Sequence, residues 1–219
     1  MPTKKTTLTK DKVISFYMQS TLENNGKPKS VFHFAKDNGF SEAEFYNFFG
    51  KLEAVEKEVF NQFLSKTLEL LDKDKDYENY DMKSKMLSFY FTFFELLTAN
   101  RSYVVLCLKE NNSVFKGLMQ LSGLRNGFKD FVSSIITEEY RLKQEKFQEI
   151  QEKAIQESAW FQFLTTLKFW LDDTSASFEK TDIYIEKSLK ASFELINVTP
   201  LESLIDFGKF LFKEKIQHN

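Results

Sequence analysis

Apolar residues recur at helical spacing along most of this sequence, and residues that make tight turns are scarce. The 219 residues include only 7 glycines and 3 prolines. A sheet with many hairpins needs far more turn residues, so the pattern predicts an all-α fold in which short polar segments join the helices. The 25 phenylalanines supply bulky material for a core and for an apolar cavity between helices.

The first fifty residues predict a three-helix head. Apolar residues at helical spacing over 10–24 are followed by Asn25-Gly26, which is typical of a left-handed helix stop. A short helix over 30–38 begins at a capping serine. Ser41, with Glu44 three residues later, forms a capping box for a second short helix that extends to residue 49. Spacing alone leaves a helix-turn-helix and an ordinary helical corner equally open.

The residues around this corner resemble the head of TetR-type transcriptional regulators. That family typically shows alanine, three residues, glycine, an apolar residue and serine, and then a helix that ends in Tyr-x-x-Phe before a Lys-Glu pair. The residues that occupy the matching positions within residues 10–55 are Gly26, Ser30, Ala35, Gly39, Ser41, Tyr46, Phe49 and Glu53.

The resemblance implies two domains. Residues 1–50 would form an N-terminal helix-turn-helix DNA-binding domain, and residues 51–219 a larger helical domain for ligand binding and dimerisation. The head carries seven lysines and five acidic residues, whereas the whole chain has a formal net charge of −2, so positive charge is concentrated in the head. Further helices are predicted over 51–73, 82–99, 102–110, 113–121, 124–139, 143–171, 178–196 and 200–215.

The resemblance also implies which residues meet DNA, with lysines on phosphates and the second short helix in the major groove. The predicted DNA-binding residues are Lys4, Lys5, Lys29, Ser41, Glu42, Glu44, Tyr46, Asn47 and Lys51. Two features depart from the family pattern. Leu52 stands where a phosphate-binding lysine is usual, and Glu42 and Glu44 place negative charge near phosphates. A glutamate can nevertheless accept a hydrogen bond from cytosine N4.

The last two predicted helices carry apolar residues on more than one face. The core can cover one face and a second subunit the other. TetR-like proteins generally dimerise through such helices as a four-helix bundle. We therefore expect a twofold homodimer whose interface includes Leu189, Phe193, Leu204, Phe207 and Leu211. The alternative, in which both helices complete the core of a monomer, stays open.

Aromatic residues are dense over 82–99 and 158–171, where they are suited either to a core or to the wall of an apolar ligand pocket. The candidate pocket residues are Phe91, Phe94, Trp160, Phe163 and Trp170. Regulators of this family bind effectors between such helices, so we expect a hydrophobic small-molecule effector.

The sequence shows no motif typical of an enzyme. It contains two histidines, no HExxH, no glycine-rich phosphate loop and no Gly-x-Ser-x-Gly elbow. We expect no enzyme activity, no metal or other cofactor, no membrane span and a cytoplasmic location.

The leading hypothesis is a dimeric regulator that binds a palindromic operator in double-stranded DNA and responds to an apolar effector. The alternative is a TetR-fold lipid-binding or accessory protein that no longer binds DNA, as in a lipid-binding protein of ubiquinone biosynthesis with this general fold. A helical adaptor for other proteins is a third possibility.

Overall fold

The computed structural model describes residues 7–109, 121–137 and 145–198. Within these ranges the chain forms nine α-helices, two single turns of 3₁₀ helix and no strand, which confirms the all-α prediction. The helices are α1 (Lys10–Glu23), α2 (Val31–Asp37), α3 (Glu42–Tyr46), α4 (Leu52–Asp72), α5 (Met82–Ala99), α6 (Arg101–Lys109), α7 (Ser122–Ile135), α8 (Glu145–Asp172) and α9 (Glu179–Val198).

Most helix bounds agree with the sequence prediction to within a few residues. The largest difference in the head is α3, which ends at Tyr46 because the following residues form a tighter turn. There the backbone N–H groups of Phe48 and Phe49 both donate to the carbonyl of Phe45. Helix α7 ends at Ile135, earlier than predicted. The predicted helices over 113–121 and 200–215 fall almost wholly or wholly outside the described residues.

The chain packs into two compact units. The first comprises Met1–Lys73 and Thr92–Phe128, and the second Asp74–Phe91 and Lys129–Asn219. In the first unit α1 packs against α4 and α6, while α2 packs against α3. Its core is mainly aromatic and β-branched, and includes Val13, Tyr17, Phe34, Phe45, Val59, Phe60 and Val104. The domain boundary at residue 50 stays a prediction.

The second unit is organised around the pairing of α8 with α9. The Gln162 amide donates to Ser188 Oγ at 3.3 Å and accepts from Ser192 Oγ at 3.0 Å. The rings of Phe169 and Tyr184 stack at 4.5 Å between centroids. The buried side chains of this unit include Phe89, Tyr90, Val132, Phe163, Trp170, Ile185 and Leu189. Across both units, none of the described helices combines the length and apolar character that a membrane crossing requires.

Candidate nucleic-acid interface

Local hydrogen bonds fix both ends of α2. The Ser30 hydroxyl accepts from the His33 backbone N–H at 3.2 Å, so the predicted N-cap is confirmed. At the other end, the Asn38 side-chain amide donates to the Phe34 carbonyl at 2.8 Å and to Ser20 Oγ at 3.1 Å. Because Ser20 belongs to α1, this amide ties the end of α2 to the first helix.

The corner after α2 turns on a glycine in the left-handed region. Gly39 has φ +74°, a conformation that costs a side-chain-bearing residue energy. The backbone N–H of Phe40 then donates to the Ala35 carbonyl at 3.1 Å, a bond typical of a helix that stops in this way. The Phe40 ring packs edge-on against Phe34 at 5.4 Å, which anchors the corner in the core of the head.

A complete capping box starts α3. The Glu44 backbone N–H donates to Ser41 Oγ at 3.2 Å, while the Ser41 backbone N–H and hydroxyl both donate to Glu44 Oε2 at 2.8 Å. The Glu44 carboxylate is therefore folded back onto the start of the helix, where the helix dipole also favours negative charge. Of the two glutamates that oppose DNA binding in the sequence, one has a structural role.

Helix α3 buries one aromatic side chain and exposes most of the others. Phe45 is fully buried and packs against Phe34 and Phe49, so the helix has one anchored face. The exposed residues of α3 and its two ends are Ser41, Glu42, Ala43, Tyr46 and Asn47. With 53% of its surface accessible, Tyr46 is among the more exposed large side chains of the head. These residues present hydroxyl and amide groups that can donate to phosphates, and hydroxyl, amide, methyl and carboxylate groups that can contact base edges.

Exposed lysines precede the helices on either side of α3 in the sequence. Lys29 precedes α2 and Lys51 precedes α4, and both are exposed. The backbone of Lys51 is extended, with φ −168°, and it serves as the N-cap of α4. Its side chain is therefore not confined to the direction that a helical residue at this place would take. Lys4 and Lys5 lie outside the described residues.

The predicted effector-site residues are mostly core. Phe94 belongs to the first unit and is buried. Trp160, Phe163 and Trp170 belong to the second unit and are also buried, with the rings of Trp160 and Phe163 stacked at 5.2 Å. Phe91, in the second unit, is half-buried. A groove of about 480 Å³ lies elsewhere in this unit, along Phe169, Lys180, Ile183, Tyr184, Lys187 and Ser188. The effector site stays a prediction.

The predicted interface residues divide in two groups. Leu189 and Phe193 lie on the inner side of α9, buried within the chain itself. Leu204, Phe207 and Leu211 lie outside the described residues. The most exposed large apolar residues of α8 and α9 are others, which the sequence interpretation did not select: Phe161 is 69% exposed and Leu195 67%, more than Ile150 and Ile183. On a helical wheel Phe161 lies opposite the buried Phe163. This opposition is the sequence signal that could have identified Phe161 as an exposed residue.

No described group of three or more His, Cys, Asp or Glu side chains is arranged to hold a metal ion. The exposed groups around α3 are mainly polar side chains, and an exposed lysine precedes each of the helices α2 and α4.

Comparison with known proteins finds a family match in a different part of the chain. A family model described as "Tetracyclin repressor-like, C-terminal domain" matches residues 85–211, more than half of the sequence and outside the head. Among solved structures, the fatty acid degradation regulator FadR from Bacillus halodurans is similar at a TM-score of 0.54 with 17% identity, over 84% of this chain and 95% of that chain. No curated protein matches significantly.

Proposed function

Because the chain belongs to the tetracyclin repressor-like family of transcriptional regulators, we propose that it binds a palindromic operator in double-stranded DNA as a twofold homodimer, under the control of an apolar small molecule. The observation that carries the DNA-binding part is the capping box of α3. It holds the helix with Phe45 inward and Tyr46 and Asn47 outward, and it retains the Glu44 carboxylate.

The charges of the head favour a domain that binds DNA over the alternative in which DNA binding has been lost. With Glu44 held at the start of α3, Glu42 is the acidic side chain left to face the groove, and it can accept a hydrogen bond from cytosine N4. Lys29, ahead of α2, and Lys51, ahead of α4, supply exposed positive charge for phosphates. Asn47, at the end of α3, is suited to read adenine.

The proposed dimer interface is the outer face of α8 and α9. The exposed residues at heptad-like spacing on this face are Ala154, Ser158 and Phe161 on α8 and Ala191 and Leu195 on α9. Hydrogen bonds of Gln162 with Ser188 and Ser192 hold the two helices side by side. The small residues of this face, Ala154, Ser158 and Ala191, would allow the helix pair of a second subunit to approach closely. A second subunit would cover two large side chains that one chain leaves exposed.

The effector proposal is limited to chemical class. The buried aromatic side chains around Trp160 and Phe163 would line an apolar site if the surrounding helices opened. The structurally similar FadR is a regulator of fatty acid degradation, and an acyl chain is one apolar ligand of this class. Binding would alter DNA affinity only to the extent that the ligand prefers one arrangement of the two heads.

Selection from random DNA tests the DNA-binding proposal. We expect a retained palindrome with half-sites about one helical turn apart, roughly 34–36 Å, and an affinity that falls as salt rises. Lys51→Ala should weaken binding to all sequences and reduce the salt slope by about two per dimer, whereas Asn47→Ala should change the preferred bases. Lys153→Ala, on the exposed face of α8, is the matched control. If no sequence is retained and mass spectrometry finds a copurified apolar molecule, the lipid-carrier alternative replaces this proposal.

Sedimentation velocity tests the interface. Phe161→Glu and Leu195→Glu should each convert a dimer to a monomer at micromolar concentration, because a charge on each copy would be buried in the bundle. Leu70→Glu on α4 is the control, since Leu70 is also an exposed apolar residue but lies on another helix. A wild-type monomer, or a dimer that tolerates both glutamates, would contradict the proposed interface.

A further inference from the structure

A buried ion pair joins the turn after α1 to helix α4. The Glu56 side chain is only 1% exposed, and its Oε2 lies 2.6 Å from Lys27 Nζ. Carboxylates are almost never buried to this extent unless a charge partner compensates for the lost water. Lys27 is 37% exposed, so it reaches inward from the surface rather than sharing the interior.

The turn that carries Lys27 is itself well fixed. Asn25 takes a left-handed φ of 48°, and the Gly26 backbone N–H donates to the Thr21 carbonyl at 2.9 Å. Pro28 follows Lys27 directly and restricts its own φ and the conformation of the lysine before it. The lysine backbone is therefore constrained on both sides before its side chain meets Glu56.

Glu56 lies in a polar cluster where α1, α4 and α6 meet. Tyr17 and Thr21 of α1 and Tyr103 of α6 are all buried. Burial raises the pKa of the Tyr103 hydroxyl, and nearby groups that include Cys107, Tyr17 and Glu56 raise it further. The stability of this cluster depends on the position of Lys27, because moving the lysine away would leave the negative charge of Glu56 buried without its charge partner.

We propose that Lys27 and Glu56 are positioning residues for DNA binding, whose ion pair holds the turn that leads into α2 and α3 against α4. The consequence is that the orientation of the DNA-reading helix depends on an ammonium group that faces the interior. This inference rests on the proposed DNA-binding function. It separates Lys27 from Lys29, two residues along, whose exposed side chain is proposed above to contact phosphate.

Two readouts distinguish a positioning lysine from a phosphate contact. The first is the salt dependence of operator binding, because a lost phosphate contact lowers the slope and a lost positioning contact does not. The second is hydrogen exchange of the backbone amides over residues 30–49 in the absence of DNA, which reports whether the head has loosened. Both are measured on the full chain below the melting transition of each variant.

We expect Lys27→Met to weaken operator binding at least tenfold with an unchanged salt slope and to increase exchange over residues 30–49. Glu56→Gln should act in the same direction, and the double variant should lose less affinity than the product of the two single losses. Lys29→Met is the matched control and should lower the slope by about two per dimer without changing exchange. Lys27→Arg retains the charge, so it should restore both affinity and protection.

The proposal is overturned if Lys27→Met lowers the salt slope as Lys29→Met does while exchange over residues 30–49 stays at the wild-type level. It is also overturned if the single losses multiply in the double variant. If Lys27→Met fails to fold, Lys27→Arg and Glu56→Asp test the proposal instead. The ion pair requires Lys27→Arg to behave like wild type and Glu56→Asp to increase exchange over residues 30–49. A wild-type protein that binds no DNA would remove the proposed function, and the exchange measurement would still decide whether the pair holds the head.

Discussion

The break between α8 and α9 depends on one carboxylate, and its removal should have a large and localised effect. Asp173 is only 6% exposed. One of its oxygens accepts from the Ser175 backbone N–H at 2.8 Å and from the Ser175 hydroxyl at 2.7 Å. The other accepts from the Thr181 backbone N–H at 3.0 Å and from the Thr181 hydroxyl at 2.7 Å. Asp173→Asn would put an NH₂ group where two of these four donors converge.

The size of the effect follows from the balance at this carboxyl group. Burial alone would raise the pKa of Asp173, but the backbone N–H of Ser175 and the hydroxyl of Thr181, with the two other donors, lower it from 3.8 to about 2. A difference of this size corresponds to about 2.5 kcal/mol in favour of the ionised folded state. We therefore expect Asp173→Asn to lower the free energy of unfolding at pH 7 by about 2–3 kcal/mol, equivalent to roughly 5–10 °C in Tm.

The pH dependence has a definite sign. Because the folded-state pKa lies below that of the unfolded chain, the stabilisation is fully present above the unfolded value of 3.8 and is lost as the pH falls through about 2. The difference in unfolding free energy between wild type and Asp173→Asn should thus be largest near neutral pH and shrink through that window.

Urea unfolding followed by far-ultraviolet circular dichroism, at one fixed protein concentration, measures this difference. Asp172→Asn is the matched control, because Asp172 is adjacent, exposed and paired only on the surface with Lys168 of the same helix. Its loss should change stability by less than about 0.5 kcal/mol. The reasoning is refuted if the two variants are equally stable at pH 7, or if the deficit of Asp173→Asn stays constant down to pH 2.

Three further changes test the local structure of the head by thermal unfolding. Gly39→Ala should cost about 1–2 kcal/mol because alanine is strained at φ +74°, while Gly50→Ala, whose added methyl group would meet open space, should be neutral or slightly stabilising. Equal effects would contradict the left-handed corner. Ser41→Ala should cost about 1 kcal/mol through loss of the N-cap bond to Glu44; an unchanged Tm would argue against the capping box. Glu44→Gln should be milder, because an amide oxygen can still accept from the Ser41 N–H, and a larger loss than Ser41→Ala would contradict this order.

The helices of this protein and the corner of its head were predictable because their determinants are local. Ser30 caps α2, Ser41 and Glu44 form the capping box of α3, and Gly39 takes the positive φ between them. Each feature depends on groups at most five residues apart. Helical periodicity likewise predicted α5, whose apolar residues mark its whole length. Such signals act within one or two turns of the chain, so they can be recognised without knowledge of what packs nearby.

Periodicity did not determine which apolar face of a helix meets which partner. Helix α9 offers Leu189 and Phe193 on one side and Leu195 on another, and the sequence interpretation selected the first pair for the dimer. Packing within the chain buries Leu189 and Phe193 and leaves Leu195 exposed. Two equally hydrophobic faces of a helix do not indicate which of them is buried in the core. The packing of the neighbouring helices decides this.

The ion pair between Lys27 and Glu56 was also beyond the sequence, since the two residues lie far apart in the chain and each resembles an ordinary surface charge. Only the packing of α1 on α4 removes water from the carboxylate and brings the ammonium group to it. The sequence by itself thus determined where most of the described helices lie, to within a few residues at their ends, and how the head turns its corner, because those depend on neighbouring residues. The tertiary structure decided which groups lose contact with water, because burial is a property of the assembled chain.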